Sequence, residues 1–100
     1  SAVKLFFAAA GSGAPSGLAL HNLGVAHVKG LGGVAADPDA AARYFERAGT
    51  AHAMYLAASL HREAGRLGAW AQWMRRAAIA GSEPAGQAMR ALAQQQKQEL

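Results

Sequence analysis

The stretch LALHNLGVAHVKGLGGVAADPDAAARYFERAG, residues 18–49, decides the fold. Its first part carries apolar residues at helical spacing and predicts a helix over about 16–29. A glycine-rich run then breaks that helix. Asp37 suits the N-cap of a second helix and Pro38 its first position, so the pattern predicts a second helix over 38–48. The stretch is therefore expected to form two helices joined by a glycine-rich turn.

Outside this stretch, the sequence predicts four more short helices separated by helix breakers. They are expected over about 2–13, 51–64 and 68–80, and from about residue 84 to the glutamine-rich end. Of the 52 hydrophobic residues, 27 are alanine, the strongest helix former, whereas valine, isoleucine and threonine together number six. These numbers favour one all-α domain of about six short helices over residues 1–100 and argue against a sheet.

The predicted helices repeat along the chain. A Leu-Gly pair followed by a histidine returns as Ala-Ala with a histidine 34 residues later, and Tyr-Phe returns as Trp-Met 29 residues later. The matching residues are Leu23, Gly24 and His27 with Ala57, Ala58 and His61, and Tyr44 and Phe45 with Trp73 and Met74. A histidine that returns once per repeat indicates packing. Small residues at the helix crossings let the axes approach, and the aromatic residues fill the space between layers.

With this pattern, the chain resembles the Sel-1-like repeats, which are relatives of the tetratricopeptide repeats. In the unit that matches best, the resemblance is carried by Ala19, Leu23, Gly24, Gly30, Gly32, Val34, Asp37, Ala41, Tyr44, Phe45 and Ala48. At the following junction it is carried by Trp73, Met74, Ala77, Ala78, Gly81, Ala85 and Met89. The chain departs from the family at His27 and His61, where tyrosine is favoured, and at Ala57-Ala58, which replace Leu-Gly.

The resemblance implies a right-handed αα superhelix, a solenoid of antiparallel helix hairpins. Residues 2–13 would then be the second helix of a preceding repeat, 16–49 a full repeat, 51–81 a degenerate repeat and 83–100 the first helix of a following repeat. The two end helices lack partners in this arrangement and expose apolar surface. We therefore expect either a slice of a longer solenoid or end helices that dock on another subunit or copy.

The resemblance further implies a protein–protein interaction module, an adaptor or scaffold whose concave face is formed mainly by the first helix of each pair. The candidate contact residues are the polar ones on those helices: His21, His52, Arg62, Glu63 and Arg66. Arg62 and Arg66, four residues apart, would place two guanidinium groups on one helix face, which suits carboxylates or phosphates. The simpler interpretation is an ordinary solvated face. The expected partner is a peptide or protein segment with some acidic character, which the net charge of +4 favours weakly.

Other function classes find little support in the sequence. The chain has no cysteine, and its histidines lack the i, i+4 spacing of helical metal ligands, so we predict no metal site and no cofactor. The two glycine-rich runs follow no predicted strand and complete no phosphate-binding motif. No nucleophile, base and orienting residue form a catalytic set, so an enzyme is not expected. No apolar run reaches 18 residues, so we expect no membrane span.

Two alternatives to the adaptor stay open. One is a structural accessory subunit docked in a large multi-protein assembly, which the exposed end helices favour. The other is an RNA-binding helical repeat, whose affinity would fall steeply with salt. A nucleic-acid interface would need more charge and exposed aromatic residues, so we expect none. The terminal KQEL at 97–100 resembles an endoplasmic-reticulum retrieval signal, although a glutamine-rich helix is the commoner explanation, and the sequence leaves the compartment open.

Overall fold

The computed structural model describes residues 16–99, which fold into five α-helices. These are α1 (Gly17–Lys29), α2 (Pro38–Ala48), α3 (Ala51–Glu63), α4 (Leu67–Ile79) and α5 (Glu83–Glu99). Residues 16–99 contain no strand, so the predicted all-α fold is confirmed over that range. The helix predicted over 2–13 lies outside the described residues. No helix within 16–99 combines the length and the apolar character that a membrane crossing requires.

The chain divides into two compact units, Ser1–Gly49 and Thr50–Leu100. In the described part of the first unit, α1 and α2 pack against each other. In the second unit, α4 packs against both α3 and α5. Each unit is therefore built from helices that are neighbours in the sequence, as is usual for helices joined by short connections.

Side-chain caps fix where four of the helices begin. Ser16, Asp37, Thr50 and Ser82 each accept a hydrogen bond from the backbone N–H three residues ahead, at 3.0–3.3 Å. A cap of this kind stabilises a helix by about 1 kcal/mol, because it satisfies a backbone donor that has no partner inside the helix. The start of α2 is the predicted one, and α1 and α5 begin within one residue of the predicted residues 16 and 84.

Helix α4 begins in a different way, because its N-cap residue, Arg66, makes no side-chain capping bond. The preceding helix ends at Glu63, and Gly65 adopts a φ of +80°, a left-handed conformation that glycine takes at little cost. The backbone N–H of Arg66 closes this turn by donating to the carbonyl of His61 at 2.9 Å. The helices predicted over 51–64 and 68–80 are therefore correct to within one residue at each end.

In the first unit, Phe45 of α2 packs directly on α1 at Gly24. A Cβ atom built on Gly24 would lie 2.7 Å from Cε1 of Phe45, closer than two carbon atoms approach without one of them moving. Phe45 is only 2% exposed, so its ring has little room to retreat. The other buried apolar residues of this unit are Ala19, Leu20, Leu23, Ala26, Ala41 and Ala42. The missing side chain at Gly24 therefore makes the space that the ring fills.

The core of the second unit joins all three of its helices. Ala58 of α3, Met74 and Ala77 of α4, and Ala85 of α5 form one buried cluster. Partly buried hydrophobic side chains pack against this cluster: Met54, Tyr55, Trp70, Trp73, Ala78, Ala88 and Met89. Small residues at the centre allow the helices to approach, and the two tryptophans then cover the cluster from its edges.

Candidate functional site

A partly open pocket of about 510 Å³ lies in the second unit, where α3, α4 and α5 meet. Its lining residues are Tyr55, Ser59, Arg62 and Glu63 from α3, Trp70 and Met74 from α4, and Pro84 and Ala88 from α5. On each helix these positions lie about one turn apart, so each helix contributes one face. The volume falls in the range of pockets that bind small molecules or protein side chains.

The most prominent polar group of the pocket is the guanidinium of Arg62. Its central carbon lies over the indole of Trp70, 5.5 Å from the ring centroid. A cation and a ring in this arrangement attract each other by about 0.5–1 kcal/mol at an exposed site. Because the contact is made with the face of the ring, the planar guanidinium retains N–H groups along its edge for hydrogen bonds. Arg62 is thus held by Trp70 and can still bind an acceptor.

The indole of Trp70 also carries an unsatisfied donor. Its Nε1–H is buried and has no acceptor among the described residues. A buried donor without an acceptor costs about 1–3 kcal/mol, so the folded unit would be more stable with an oxygen placed there. Because the nitrogen is covered, an oxygen from outside reaches it only when neighbouring side chains move.

The hydroxyl of Ser59, one of the pocket's lining residues, is bonded to the backbone of its own helix. Ser59 Oγ donates its proton to the backbone carbonyl of Tyr55 at 3.1 Å, one turn earlier on the same helix. The described pocket therefore offers aromatic faces, a cation and hydrogen-bond donors, which are features suited to binding.

Of the five contact residues predicted from the sequence, the pocket brings together Arg62 and Glu63. His52 is exposed near the start of α3 and does not line the pocket. His21 belongs to the first unit, where its ring packs edge-on against Phe45 at a centroid distance of 5.4 Å. Arg66 follows the end of α3. The predicted set is therefore divided between the two units, and two of its members share the pocket.

The prediction that Arg62 and Arg66 share one helix face is wrong. Helix α3 ends at Glu63, and the left-handed turn at Gly65 redirects the chain before Arg66. Arg66 Nε instead donates to Nδ1 of His61 at 2.9 Å. The i, i+4 spacing predicts neighbouring side chains only where the helix continues through both residues.

The two histidines that occupy the same repeat position make different contacts. His27 is buried, its Nδ1 lies 2.8 Å from the carbonyl oxygen of Leu23, and its ring lies 5.0 Å from that of Tyr44. Because a carbonyl oxygen only accepts, the proton of neutral His27 is on Nδ1. Nδ1 of His61 accepts from Arg66, so the proton of neutral His61 is on Nε2. Both rings take part in local packing, and no group of three or more possible metal ligands occurs among residues 16–99.

Tyr55, Trp70 and Ala88 were not predicted from the sequence to belong to a binding site. A signal was present within each helix, since Tyr55, Ser59 and Arg62 follow the i, i+4, i+7 spacing of one face. The same spacing describes a face that packs in the core. Only the packing of α3, α4 and α5 shows that these faces border a pocket.

Comparisons of the chain with protein-family models, with curated proteins and with solved structures gave no match. The resemblance to the Sel-1-like repeats therefore depends on the residues of this chain alone.

Proposed function

We propose that the chain is a non-catalytic protein–protein interaction module, an adaptor or scaffold that binds a peptide or protein segment in the pocket of the second unit. The observation that carries this proposal is the pocket itself, about 510 Å³ in volume and bordered by three helices. It combines the side chains of Trp70, Met74 and Tyr55 with that of Arg62. Aromatic residues and arginine are the residue types most often responsible for binding energy at protein interfaces.

The similarity of residues 16–49 to the Sel-1-like repeats supports the same proposal. Membership of that family and the right-handed superhelix of helix hairpins that it implies are part of the proposal. Repeats of this kind present extended surfaces made of successive helices, which suit segments of other proteins.

A peptide selection tests this function. A random library of 12-residue peptides displayed on phage is selected on the complete 100-residue chain, and the dissociation constants of the best peptides are measured by calorimetry. Ala88→Trp places a large ring in the pocket, whereas Ala91→Trp adds the same ring one turn further along α5 at an exposed position outside it. We expect Ala88→Trp to weaken binding about tenfold or more and Ala91→Trp to leave it nearly unchanged.

Circular dichroism shows whether both variants keep their helices. Because Ala88 also packs on the core cluster, Glu63→Trp, which starts from an exposed lining residue, is a second blocking variant. The proposal fails if no peptide is enriched over an unrelated immobilised protein. It also fails if the selected peptides bind equally well to both folded blocking variants.

A structural accessory subunit is the second candidate, and the exposed apolar side chains favour it. Leu18 is 71% exposed and Ile79 is 81% exposed, although both are large and apolar. If such side chains dock in an assembly, the isolated chain should self-associate, and Leu18→Ser with Ile79→Ser should reduce its mass in light scattering. A wild-type chain that stays monomeric at high concentration would argue against the accessory role.

A further inference from the structure

The second unit, which contains the pocket, has an excess of positive charge. From Thr50 to Leu100 the sequence has six arginines and lysines but three glutamates. One of those glutamates, Glu83, pairs with Arg90 at 3.5 Å. The field around this unit therefore favours a negatively charged partner over a positive one.

Among the basic residues of this unit, Arg62 is the one that lines the pocket. Its contact with Trp70 restricts the long side chain, so less conformational freedom is lost when a ligand binds. The edge of a guanidinium presents parallel N–H donors whose spacing matches the two oxygens of a carboxylate. Arg76 lies over Trp73 at 4.6 Å in a similar way, but neither residue lines the pocket.

Two further lining residues define the chemistry more closely. The buried Nε1–H of Trp70 lacks an acceptor among the described residues, and a carboxylate offers about four lone-pair sites, enough for Arg62 and a second donor. Glu63, next to Arg62 in the sequence, opposes an incoming carboxylate by like-charge repulsion. The pocket is thus expected to accept a single carboxylate at Arg62 in preference to a dense cluster of negative charges.

We infer that the pocket binds the side-chain carboxylate of an aspartate or glutamate in a partner protein segment, held by the guanidinium edge of Arg62 above the indole of Trp70. This inference rests on the proposed function, because it names the group that anchors a segment in the same pocket. Arg62 is the specificity-determining residue. Trp70 orients it, and Glu63 limits the charge that the pocket accepts.

The experiment uses the peptide with the lowest dissociation constant among those whose binding is weakened by Ala88→Trp or by Glu63→Trp. Each of its acidic residues is changed in turn to the matching amide, and the dissociation constant is measured with the wild-type chain and with Arg62→Gln. We expect one such change to weaken binding to the wild-type chain about tenfold or more, as for the loss of a charge-assisted bidentate contact. In the Arg62→Gln variant, the same peptide substitution should change the dissociation constant less than about twofold, because the guanidinium that would meet the carboxylate is absent.

The control variants separate this contact from general charge. Arg76→Gln removes a ring-stacked arginine of the same unit that does not line the pocket, and it should change affinity less than about twofold. Arg62→Lys keeps the positive charge but loses the parallel N–H donors of the guanidinium, so its affinity should lie between those of Arg62→Gln and the wild type. Glu63→Gln should strengthen binding about two- to fivefold, because it removes the opposing carboxylate.

The outcomes distinguish this inference from the proposed function. If peptides bind in the pocket but their acidic residues can be replaced without loss, or if Arg76→Gln weakens binding as much as Arg62→Gln, the inference is wrong while the proposed function stands. If no peptide depends on the pocket, both are wrong. If a single-stranded oligonucleotide displaces the peptide at equal or lower concentration, the pocket prefers phosphate, and the carboxylate assignment is wrong.

Discussion

The two units carry different side chains at a matching pair of positions, one on each of two successive helices. In the first unit, Gly24 on α1 faces the rigid ring of Phe45 on α2. At the matching positions of the second unit, Ala58 on α3 and the flexible Met74 on α4 belong to the same core cluster. A methyl group is added on one helix, and an aromatic ring is replaced by a methionine on the other.

We expect from this difference that the two residues of each pair are suited to each other. A ring fits where the facing residue has no Cβ, whereas an unbranched methionine adapts to an alanine methyl. In the first unit, Gly24 leaves the space that Phe45 fills, and in the second unit Ala58 and Met74 share one core cluster.

The largest effect on stability is expected from removing the large side chain of either pair, Phe45 in the first unit or Met74 in the second. Phe45→Ala should lower the free energy of unfolding by about 3–5 kcal/mol and Met74→Ala by about 2–5 kcal/mol, because each leaves a cavity in a buried site. Urea unfolding followed by circular dichroism measures both. Arg43→Ala, an exposed residue of α2, is the control and should stay within about 0.5 kcal/mol of the wild type. A loss below about 1 kcal/mol for Phe45→Ala would contradict its central role in the first unit.

A smaller loss of stability is expected when Gly24 is changed to alanine, the residue at the matching position of the second unit, while Phe45 is kept. Gly24→Ala should destabilise the chain by about 1–2 kcal/mol, because overpacking against the Phe45 ring outweighs the better helix propensity of alanine. The same urea titration measures this loss. Unchanged or increased stability would mean that the ring moves away freely, and the comparison between the units would lose its basis.

The exchange of both residues then tests whether they act as a pair. We expect Gly24→Ala to cost about 1 kcal/mol less in a chain that already carries Phe45→Met, because a methionine can bend away from the new methyl. The four free energies of unfolding, for the wild type, both single variants and the double variant, give this coupling. Additive effects would show that the two positions are chosen independently.

The smallest effect, and one of opposite sign, is expected at a glycine that faces no neighbour. Gly68 is the second residue of α4, and a Cβ placed there would meet nothing within 4 Å. Gly68→Ala should therefore raise the free energy of unfolding by about 0.5–1 kcal/mol through helix propensity alone. Thermal unfolding compares it directly with Gly24→Ala. Destabilisation by Gly68→Ala would show that backbone effects, and not the Phe45 ring, dominate at both glycines.

Much of the fold was predictable because its signals are local. The Asp37-Pro38 pair defines the start of α2, and glycines after α1 and α3 define where those helices end. The start of α5 was predicted to within one residue, and the side chain of Ser82 caps it.

The candidate site was less predictable because it depends on packing between helices. Arg62 and Glu63 were expected to contact a partner, and they line the pocket. Trp70 packs on the core cluster and also borders the pocket, and helical spacing alone does not distinguish these two roles. The pairing of Arg66 with His61 was missed because it forms across a turn, where helical spacing no longer predicts which side chains meet.

The unlike protonation of His27 and His61 gives each unit its own spectroscopic signal. In nitrogen-15 NMR spectra, an imidazole protonated on Nδ1 is distinguished from one protonated on Nε2, and here each form is tied to contacts within one unit. The signal of His27 reports whether its bond to the Leu23 carbonyl is intact, and that of His61 reports the contact with Arg66. In a chain enriched in nitrogen-15, local opening of one unit can therefore be followed by NMR while the other stays folded, without a chemical probe attached to either histidine.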